Sequence, residues 1–573
     1  MPIHNSDISD SFNRVADLLE IEGANPFRVR AYRNAARTIG GLSKNVSDMI
    51  DEDRPLTEIS GIGKDLAQKI KEIVNSGKLR QLEELEEELP PGLHDILRIP
   101  KLGPKKVKAL FQELDIKDLD SLKKAAESNR VRKLQGFGAQ TEEAILEEIE
   151  RKNWDGQRTQ WIRAEEMAQS YVDYLKKDKS LKEIMVAGSF RRRQETVGDL
   201  DILVTCKRGS EIMQRFIDYE DVDQVISRGK TRCSVMLRSG LQVDLRKVPQ
   251  VAYGAALHYF TGSKAHNIAV RKLGQKKGLK INEYGVFKKN ERIAGRTEKS
   301  VYGQVGLPYI EPELREDDGE IQAARKNRLP DLISLEDIRG DLHTHTKKTD
   351  GHHSLKEMVS AAREKGYQYM AVTNHSQHVS VTGGLDAKRL ADEIEQIKRL
   401  NAKIDEFEIL TSIEVDILKD GSLDLPDGIL KKLDLTVGAV HSDFNLSRDK
   451  QTERILRAMD NRYFNILAHP TGRLINEREP YAVDVERLME AARKRGCFME
   501  LNAHPDRLDL NDVFCKSAKD MGIKIVISTD AHTTDSLDDM RIGIGQARRG
   551  WLEAGDVLNT RSLKELKELL KRN

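Results

Sequence analysis

The apolar positions change their period twice along the chain. Over residues 1–150 they recur at spacings of three and four, with polar connectors and few β-branched runs, which predicts short amphipathic helices. A weak repeat runs through this stretch. Ile59-Ser60-Gly61-Ile62-Gly63-Lys64 precedes a helical Asp65–Asn75, Ile99-Pro100-Lys101-Leu102-Gly103-Pro104-Lys105 precedes Lys106–Glu113, and Leu134-Gln135-Gly136-Phe137-Gly138 precedes Thr141–Arg151. Its spacing is too irregular for a solenoid. Residues 158–310 mix helices with strand-like runs at Ile184–Ala187, Asp201–Thr205 and Cys233–Val248. Around Glu311–Ile338 prolines and acids without a clear period predict a linker. From Ile338 onward short apolar runs alternate with helical stretches, at Tyr369–Thr373, Ile409–Ile413, Leu435–Val440, Asn465–Ala468, Cys497–Leu501 and Lys524–Ser528. That alternation implies a parallel sheet and suggests closure into a barrel.

Composition sharpens this picture in three ways. At 573 residues the chain has room for three to five domains. No run approaches the roughly 20 apolar residues of a membrane helix, and the first residues lack the basic region and apolar run of a secretory signal. Four scattered cysteines with no CxxC predict a reducing, cytoplasmic setting. The formal charge of +1 hides a division: residues 1–157 carry −4, 158–310 carry +12, and 311–573 carry −7. A basic middle suggests that this part holds a polyanion.

The middle segment carries the first candidate chemistry, in Gly188-Ser189-Phe190-Arg191-Arg192-Arg193-Gln194-Glu195-Thr196-Val197-Gly198-Asp199-Leu200-Asp201. Asp199 and Asp201 are two apart at the start of a strand, so their carboxylates share one side of the pleat. Gly188-Ser189 can open a helix and offer N–H groups to a phosphate. Asp244 lies in the later strand Leu241–Val248, which can pair beside the first. Three carboxylates so placed can hold two Mg²⁺ or Mn²⁺ ions about 4 Å apart, the arrangement for in-line displacement at phosphorus. Alone, the Asp-x-Asp pair would read as a surface turn; its Gly-Ser and arginine context changes that.

These motifs resemble those of the family X DNA polymerases, the polymerase beta-like nucleotidyltransferases, over about residues 1–315. The resemblance implies helical domains at 1–85 and 86–157 and an α+β palm and thumb at 158–315. It makes Asp199, Asp201 and Asp244 the catalytic metal ligands, with Asp244 helping to activate the primer 3′-hydroxyl. Gly188, Ser189, Arg192 and Gly198 would hold the triphosphate. Tyr259 and Phe260 of Tyr259-Phe260-Thr261-Gly262-Ser263 would line the sugar site, with Gly262 allowing close approach, although the two rings also suit a plain core pair. Asn267 and Arg271 align with residues on the minor-groove side of the nascent pair, and Asn282-Glu283-Tyr284-Gly285-Val286-Phe287 continues the likeness. Gln242 departs from it, standing where the family usually has an arginine, while Arg246 is kept.

The amino-terminal repeats resemble helix-hairpin-helix motifs, which implies DNA-binding roles for Gly61, Gly63, Gly103, Gly136 and Gly138 through N–H groups aimed at backbone phosphate. The middle copy departs, with Lys101 at the first glycine position. The same resemblance places Lys69 at a family Schiff-base lysine position. Asp65, one turn earlier, would form an ordinary salt bridge with it and favour the protonated amine.

Most barrel runs end in a residue able to bind metal. His343, His345, Asp350, His375, Glu414, His441, His469, Asp530 and His532 converge if those ends share one face. Imidazoles with carboxylates suit Zn²⁺ or Mn²⁺ rather than Ca²⁺, and nine donors imply two or three ions with Glu414 as the bridge. His352 and His353 would flank this site, His378 would sit on a loop, and His504 stays open between rim and structural roles.

Residues 338–573 resemble the PHP (polymerase and histidinol phosphatase) domain. That implies a distorted α/β barrel of about seven strands, joined by a linker at 316–337. The whole then resembles the bacterial and archaeal family X polymerases with a carboxyl-terminal PHP domain. The resemblance implies gap filling in base-excision repair, 3′–5′ exonuclease action, and abasic-site or 3′-phosphoesterase cleavage as further activities. The expected partners are gapped or primed DNA and dNTPs, with the protein a monomer away from membranes. Two alternatives remain: a DNA-binding scaffold with vestigial sites, and a barrel acting as a phosphatase on a small metabolite.

Overall fold

A computed structural model describes residues 3, 5–40, 46–51, 54–59, 61–90, 92–97, 99, 102–134, 136–150, 158–379 and 382–572. Ser60, Pro100, Lys101 and Gln135 of the three repeats lie outside the described residues. The chain forms two compact units, one of residues 1–157, 220–223 and 237–240, the other of 158–219, 224–236 and 241–573.

The first unit is helical. Asn5–Glu22, Pro26–Gly40, Lys64–Ser76 and Arg80–Glu88 surround one core built on Phe12, Leu19, Tyr32 and Ile70. Pro104–Leu114, Leu119–Glu127 and Ala139–Glu150 surround another, on Leu93, Val107, Leu110, Leu122 and Ile145. The repeats become one recurring turn. Ile62 N–H donates to Ile59 O, Leu102 to Ile99 O and Phe137 to Leu134 O, at 3.0–3.1 Å, and each following helix starts one residue after the second glycine.

In the second unit the strands Leu181–Val186, Asp199–Cys206, Gln242–Lys247 and Arg232–Leu237 lie side by side in a five-stranded sheet. Asp199–Cys206 and Gln242–Lys247 are parallel, and Asp201 stands opposite Asp244. The single run expected at Cys233–Val248 is instead a hairpin, Arg232–Leu237 returning antiparallel as Gln242–Lys247. Helices Tyr253–Thr261 and Lys264–Lys276 lead to a three-stranded antiparallel sheet of Leu279–Asn282, Gly285–Lys288 and Glu291–Ala294, then to helix Glu298–Val305.

The stretch expected as a linker is folded. It holds the turns Pro312–Leu314 and Leu335–Asp337 and the helix Glu320–Arg325, and Ile321 and Ala324 join the core of Val270, Val286 and Val301. It buries charges as well: Arg315 and Glu320 are both 0% exposed. Arg315 pairs with Glu298 at 2.6 Å, and Glu320 with His266 Nδ1 at 2.6 Å. Buried charges set among short apolar stretches leave no apolar period in the sequence, which is why this segment reads as a linker.

The remainder is a parallel barrel. Strands Gly340–Thr344, Tyr369–Val372 and Glu408–Thr411 form one arc, and Glu414–Asp416, Val437–Ala439, Ile466–Leu467, Phe498–Asn502 and Ile525–Ser528 the other. Glu408–Thr411 and Glu414–Asp416 are one stave interrupted at Ser412-Ile413, so the ring has seven staves. Parallel bridges His375–Glu414 and Thr344–Ala531 join the arcs at both seams. Among the described residues no helix is long and apolar enough to cross a membrane.

Candidate active sites and metal centre

The period-two geometry of the strand puts Asp199 and Asp201 on one face, and parallel register brings Asp244 beside Asp201. Burial raises Asp201 to about 7, with the Asp199 and Asp244 charges adding to the effect. Asp199 is also raised, by burial and then by Asp244. Carboxylates crowded in this way favour a cation between them. Gly188 lies over the trio, since a Cβ there would stand 3.1 Å from Asp201 Oδ2.

Asp244 is held by Gln242, which the sequence singled out, and by Arg232, which it did not. Gln242 Nε2 donates to its Oδ1 at 3.0 Å, and Arg232 Nη2 to its Oδ2 at 3.0 Å. Arg246 is 3.9 Å away and lies over the Phe260 ring. The positive charge absent at position 242 therefore arrives from Arg232 on the adjacent antiparallel strand. The available signal was the hairpin turn Ser239-Gly240, which sets Arg232 opposite Arg246.

The other expected nucleotide residues gather beside this trio. Arg192 Nη1 donates to Thr261 O at 2.6 Å, and a Cβ on Gly262 would come within 3.1 Å of that nitrogen, so only glycine leaves this approach open. Ser189 is half-buried in the one-turn helix Gly188–Arg191, and a Cβ on Gly198 would meet Arg158 at 3.3 Å. Tyr259 and Phe260 are half-buried, which separates them from a plain core pair. Arg271 lies over the Tyr259 ring at 5.3 Å, and Asn267 Nδ2 donates to Tyr259 O at 2.7 Å.

In the helical unit Gly63 and Gly103 are the N-caps of their helices. Gly61 and Gly136 adopt positive φ. Among the described residues, chain neighbours apart, no atom lies within 4 Å of a Cβ built on Gly63, Gly103, Gly136 or Gly138, which leaves room there for an approaching backbone. Lys69 Nζ is paired with Asp65 at 2.5 Å. Burial works to lower its pKa, but hydrogen bonds to Asp65 and Tyr32 outweigh that and raise it.

All nine predicted barrel donors converge. Three overlapping groups form: His345, Asp350, His375 and His532; His343, His345 and Asp530; His375, Glu414 and His441. Glu414 sits between them, 2.7 Å from His375 Nδ1, 3.2 Å from His441 Nε2 and 3.1 Å from His469 Nε2. His375 Nδ1 and Glu414 Oε2 approach to 2.7 Å without the alignment of a hydrogen bond, and among the described residues His343 Nε2, both His345 ring nitrogens and His469 Nδ1 make no aligned hydrogen bond either. Buried polar atoms are normally satisfied, so these residues fit divalent cations. Burial works to raise Glu414, yet the surrounding histidines hold it well below the carboxylate range.

Two supporting acids went unnoticed in the sequence. His343 Nδ1 is hydrogen-bonded to Glu500 at 2.7 Å and His441 Nδ1 to Asp416 at 3.2 Å. Such carboxylates orient a metal-binding imidazole. Both sit on strands, Phe498–Asn502 and Glu414–Asp416, and both are 0% exposed, which marks them in retrospect as acids inside apolar runs. Of the remaining histidines, His353 Nδ1 accepts from Thr534 N–H, His378 N–H donates to Asp424, and His504 Nδ1 accepts from Asp506 N–H.

Comparison with known proteins agrees with this division. Residues 3–79 match the family described as helix-hairpin-helix domain and 93–151 the SAM-like helix-hairpin-helix tandem. Residues 158–246 match DNA polymerase beta palm, 256–316 DNA polymerase beta thumb, and 341–504 the PHP domain. The chain is 39% identical to a Bacillus subtilis (strain 168) protein named DNA polymerase/3′-5′ exonuclease PolX, with 100% of both chains covered. A probable phosphatase of Thermoanaerobacter sp. (strain X514) is 31% identical over 40% of this chain and 94% of its own length. Another, from Caldanaerobacter subterraneus, is 31% identical over 34% of this chain and 75% of its own.

Proposed function

The chain belongs to the family X DNA polymerases that carry a carboxyl-terminal PHP domain, and on that premise we propose that it fills short gaps during base-excision repair and trims 3′ ends with its barrel. It is a DNA-directed DNA polymerase and a 3′–5′ exonuclease. The observation that carries the synthetic half is the register that sets Asp201 beside Asp244, with Asp199 on the same face and Gly188 above.

In this reading Asp199, Asp201 and Asp244 hold Mg²⁺ or Mn²⁺, which when bound steadies charge on the transferring phosphate. Gly188, Ser189, Arg192 and Gly198 bind the triphosphate. Tyr259, Phe260 and Gly262 shape the sugar pocket, and Asn267 and Arg271 face the nascent pair. Asp244 takes the primer hydroxyl proton, with Arg232 and Gln242 orienting its carboxylate. Gly61, Gly63, Gly103, Gly136 and Gly138 present helix N-termini to backbone phosphate. The nine barrel donors hold two or three Mn²⁺ or Zn²⁺ ions. The protein acts in the cytoplasm as a monomer on gapped or primed DNA with dNTPs.

Purified protein incubated with gapped and recessed primers tests this directly. Extension is expected with nucleotides, and shortening from the 3′ end without them. Binding with neither reaction, under Mg²⁺ or Mn²⁺, would overturn it in favour of a DNA-holding scaffold. A second reading of the barrel, phosphate removal from 3′ ends, is favoured by its likeness to probable phosphatases; a 3′-phosphorylated primer checks it.

Two smaller effects follow. Arg232→Ala should slow synthesis about tenfold, the scale of one hydrogen bond to a charged group, with exonuclease unchanged in the same primer assay. Lys69 stays protonated at neutral pH because Asp65 raises its pKa, so 5′-deoxyribose-phosphate lyase action should be weak. Asp65→Ala removes the leading opposition to burial, lowers that pKa and should increase borohydride trapping of Lys69 on an incised abasic substrate.

A further inference from the structure

The loop between the phosphate cradle and the first catalytic acid, residues 192–195, is gripped from the barrel together with the end of the helix before it. Arg549, at the end of the barrel helix Met540–Arg549, is 6% exposed in its side chain. Its Nη1 donates to Arg192 O at 2.9 Å and to Glu316 Oε1 at 2.9 Å, while Nη2 donates to Asp512 at 2.6 Å. The same Glu316 oxygen accepts from Arg192 Nε at 2.9 Å and Gln194 Nε2 at 2.7 Å. One carboxylate oxygen therefore ties the barrel guanidinium to Arg192. Burial works to raise Glu316, but Arg192 and Arg549 outweigh it and hold the carboxylate ionised.

Two further contacts fix the rest of the loop. A Cβ on Gly545, one turn earlier on the barrel helix, would lie 3.3 Å from the Arg193 side chain, so the helix passes close. Arg193 is stacked at 4.1 Å on Trp161, and Trp161 in turn on Phe190. Arg473, on a barrel loop, forks onto both oxygens of Glu195 at 3.2 and 2.6 Å. Guanidinium forks of this kind set geometry as well as charge.

We propose that Arg549 is a positioning residue for the polymerase reaction: through Glu316 it holds Arg192 in the orientation that receives the incoming triphosphate. The barrel thus serves synthesis by fixing the nucleotide loop, apart from its own hydrolytic chemistry. This rests on the reading of Arg192 as a triphosphate ligand.

The test is single-nucleotide gap filling by the full chain at varied dNTP concentration, alongside exonuclease rate and melting temperature. Arg549→Ala is expected to raise the KM for dNTP about tenfold, the usual scale of coupling through one packed contact, with kcat changed far less and exonuclease unchanged. Glu316→Gln should raise KM similarly, and the double variant should be no worse than either single one, because both break one link. If Arg549→Ala lowers the melting temperature, Arg549→Lys carries the same test, keeping the charge but not the fork. Arg192→Ala separates the two ideas. If it leaves KM unaltered, the reading of Arg192 fails. If it raises KM while neither Arg549 variant does, or if the Arg549 variants cut synthesis and exonuclease equally, the positioning role is overturned.

Discussion

Replacing Asp199 and Asp201 together with alanine should abolish nucleotide incorporation, by about a thousandfold or more, and should make the metal-free protein harder to melt above neutral pH. The first effect follows from removing two of three converging acids. The second follows from their pKa values. Asp201 is raised to about 7, chiefly by burial and then by its two acidic neighbours, and Asp199 is raised as well, against an ordinary value of 3.8. Between about pH 4 and 7 the folded protein holds protons that the unfolded chain has released. Stability therefore falls as pH rises through that window, and the deficit is complete above it. Alanine removes the buried charges and their repulsion, so in chelator at pH 8 the double variant should melt a few degrees higher, at about one degree per kcal/mol in a unit of this size. At pH 5 the advantage should shrink. Scanning fluorimetry at the two pH values measures it, and a lower melting temperature at pH 8 would contradict the account. Exonuclease activity should survive.

Glu414→Gln should do the reverse. The carboxylate stands within 4 Å of five imidazoles: His343 at 3.6 Å and His345 at 3.7 Å, besides His375, His441 and His469. An amide offers one weak acceptor and no charge, so it cannot bridge two cations or offset the histidines around it. Exonuclease should fall by about a thousandfold, and elemental analysis should find at least one metal equivalent lost. Gap filling should persist, since the sheet bearing Asp199, Asp201 and Asp244 shares no ligand with this cluster. His343→Ala should behave alike, because it removes one donor of the cluster and leaves Glu500 Oε1 without its histidine. Loss of both activities in either variant would make two independent sites untenable.

The pattern of residues alone determined the helical start, the strand–helix alternation of the barrel, and the trio Asp199, Asp201 and Asp244. It also singled out the nine candidate barrel donors, most of which lie at or just beyond a strand end, where local periodicity and chemistry coincide. Four things were decided only by tertiary structure. Arg232 reaches Asp244 because a hairpin folds the run Cys233–Val248 back on itself. The segment around Arg315 and Glu320 is core because an Arg315–Glu298 ion pair and a Glu320–His266 hydrogen bond let its charges be buried beside Leu314, Ile321 and Ala324. Glu500 becomes the partner of His343 from a strand 157 residues away, and Asp416 that of His441 from the neighbouring strand. Arg549 meets Glu316 from the far side of a 233-residue separation. Sequence reports what each residue prefers beside its neighbours; which charge answers which is set by strand register and long-range packing, and neither has a local signature.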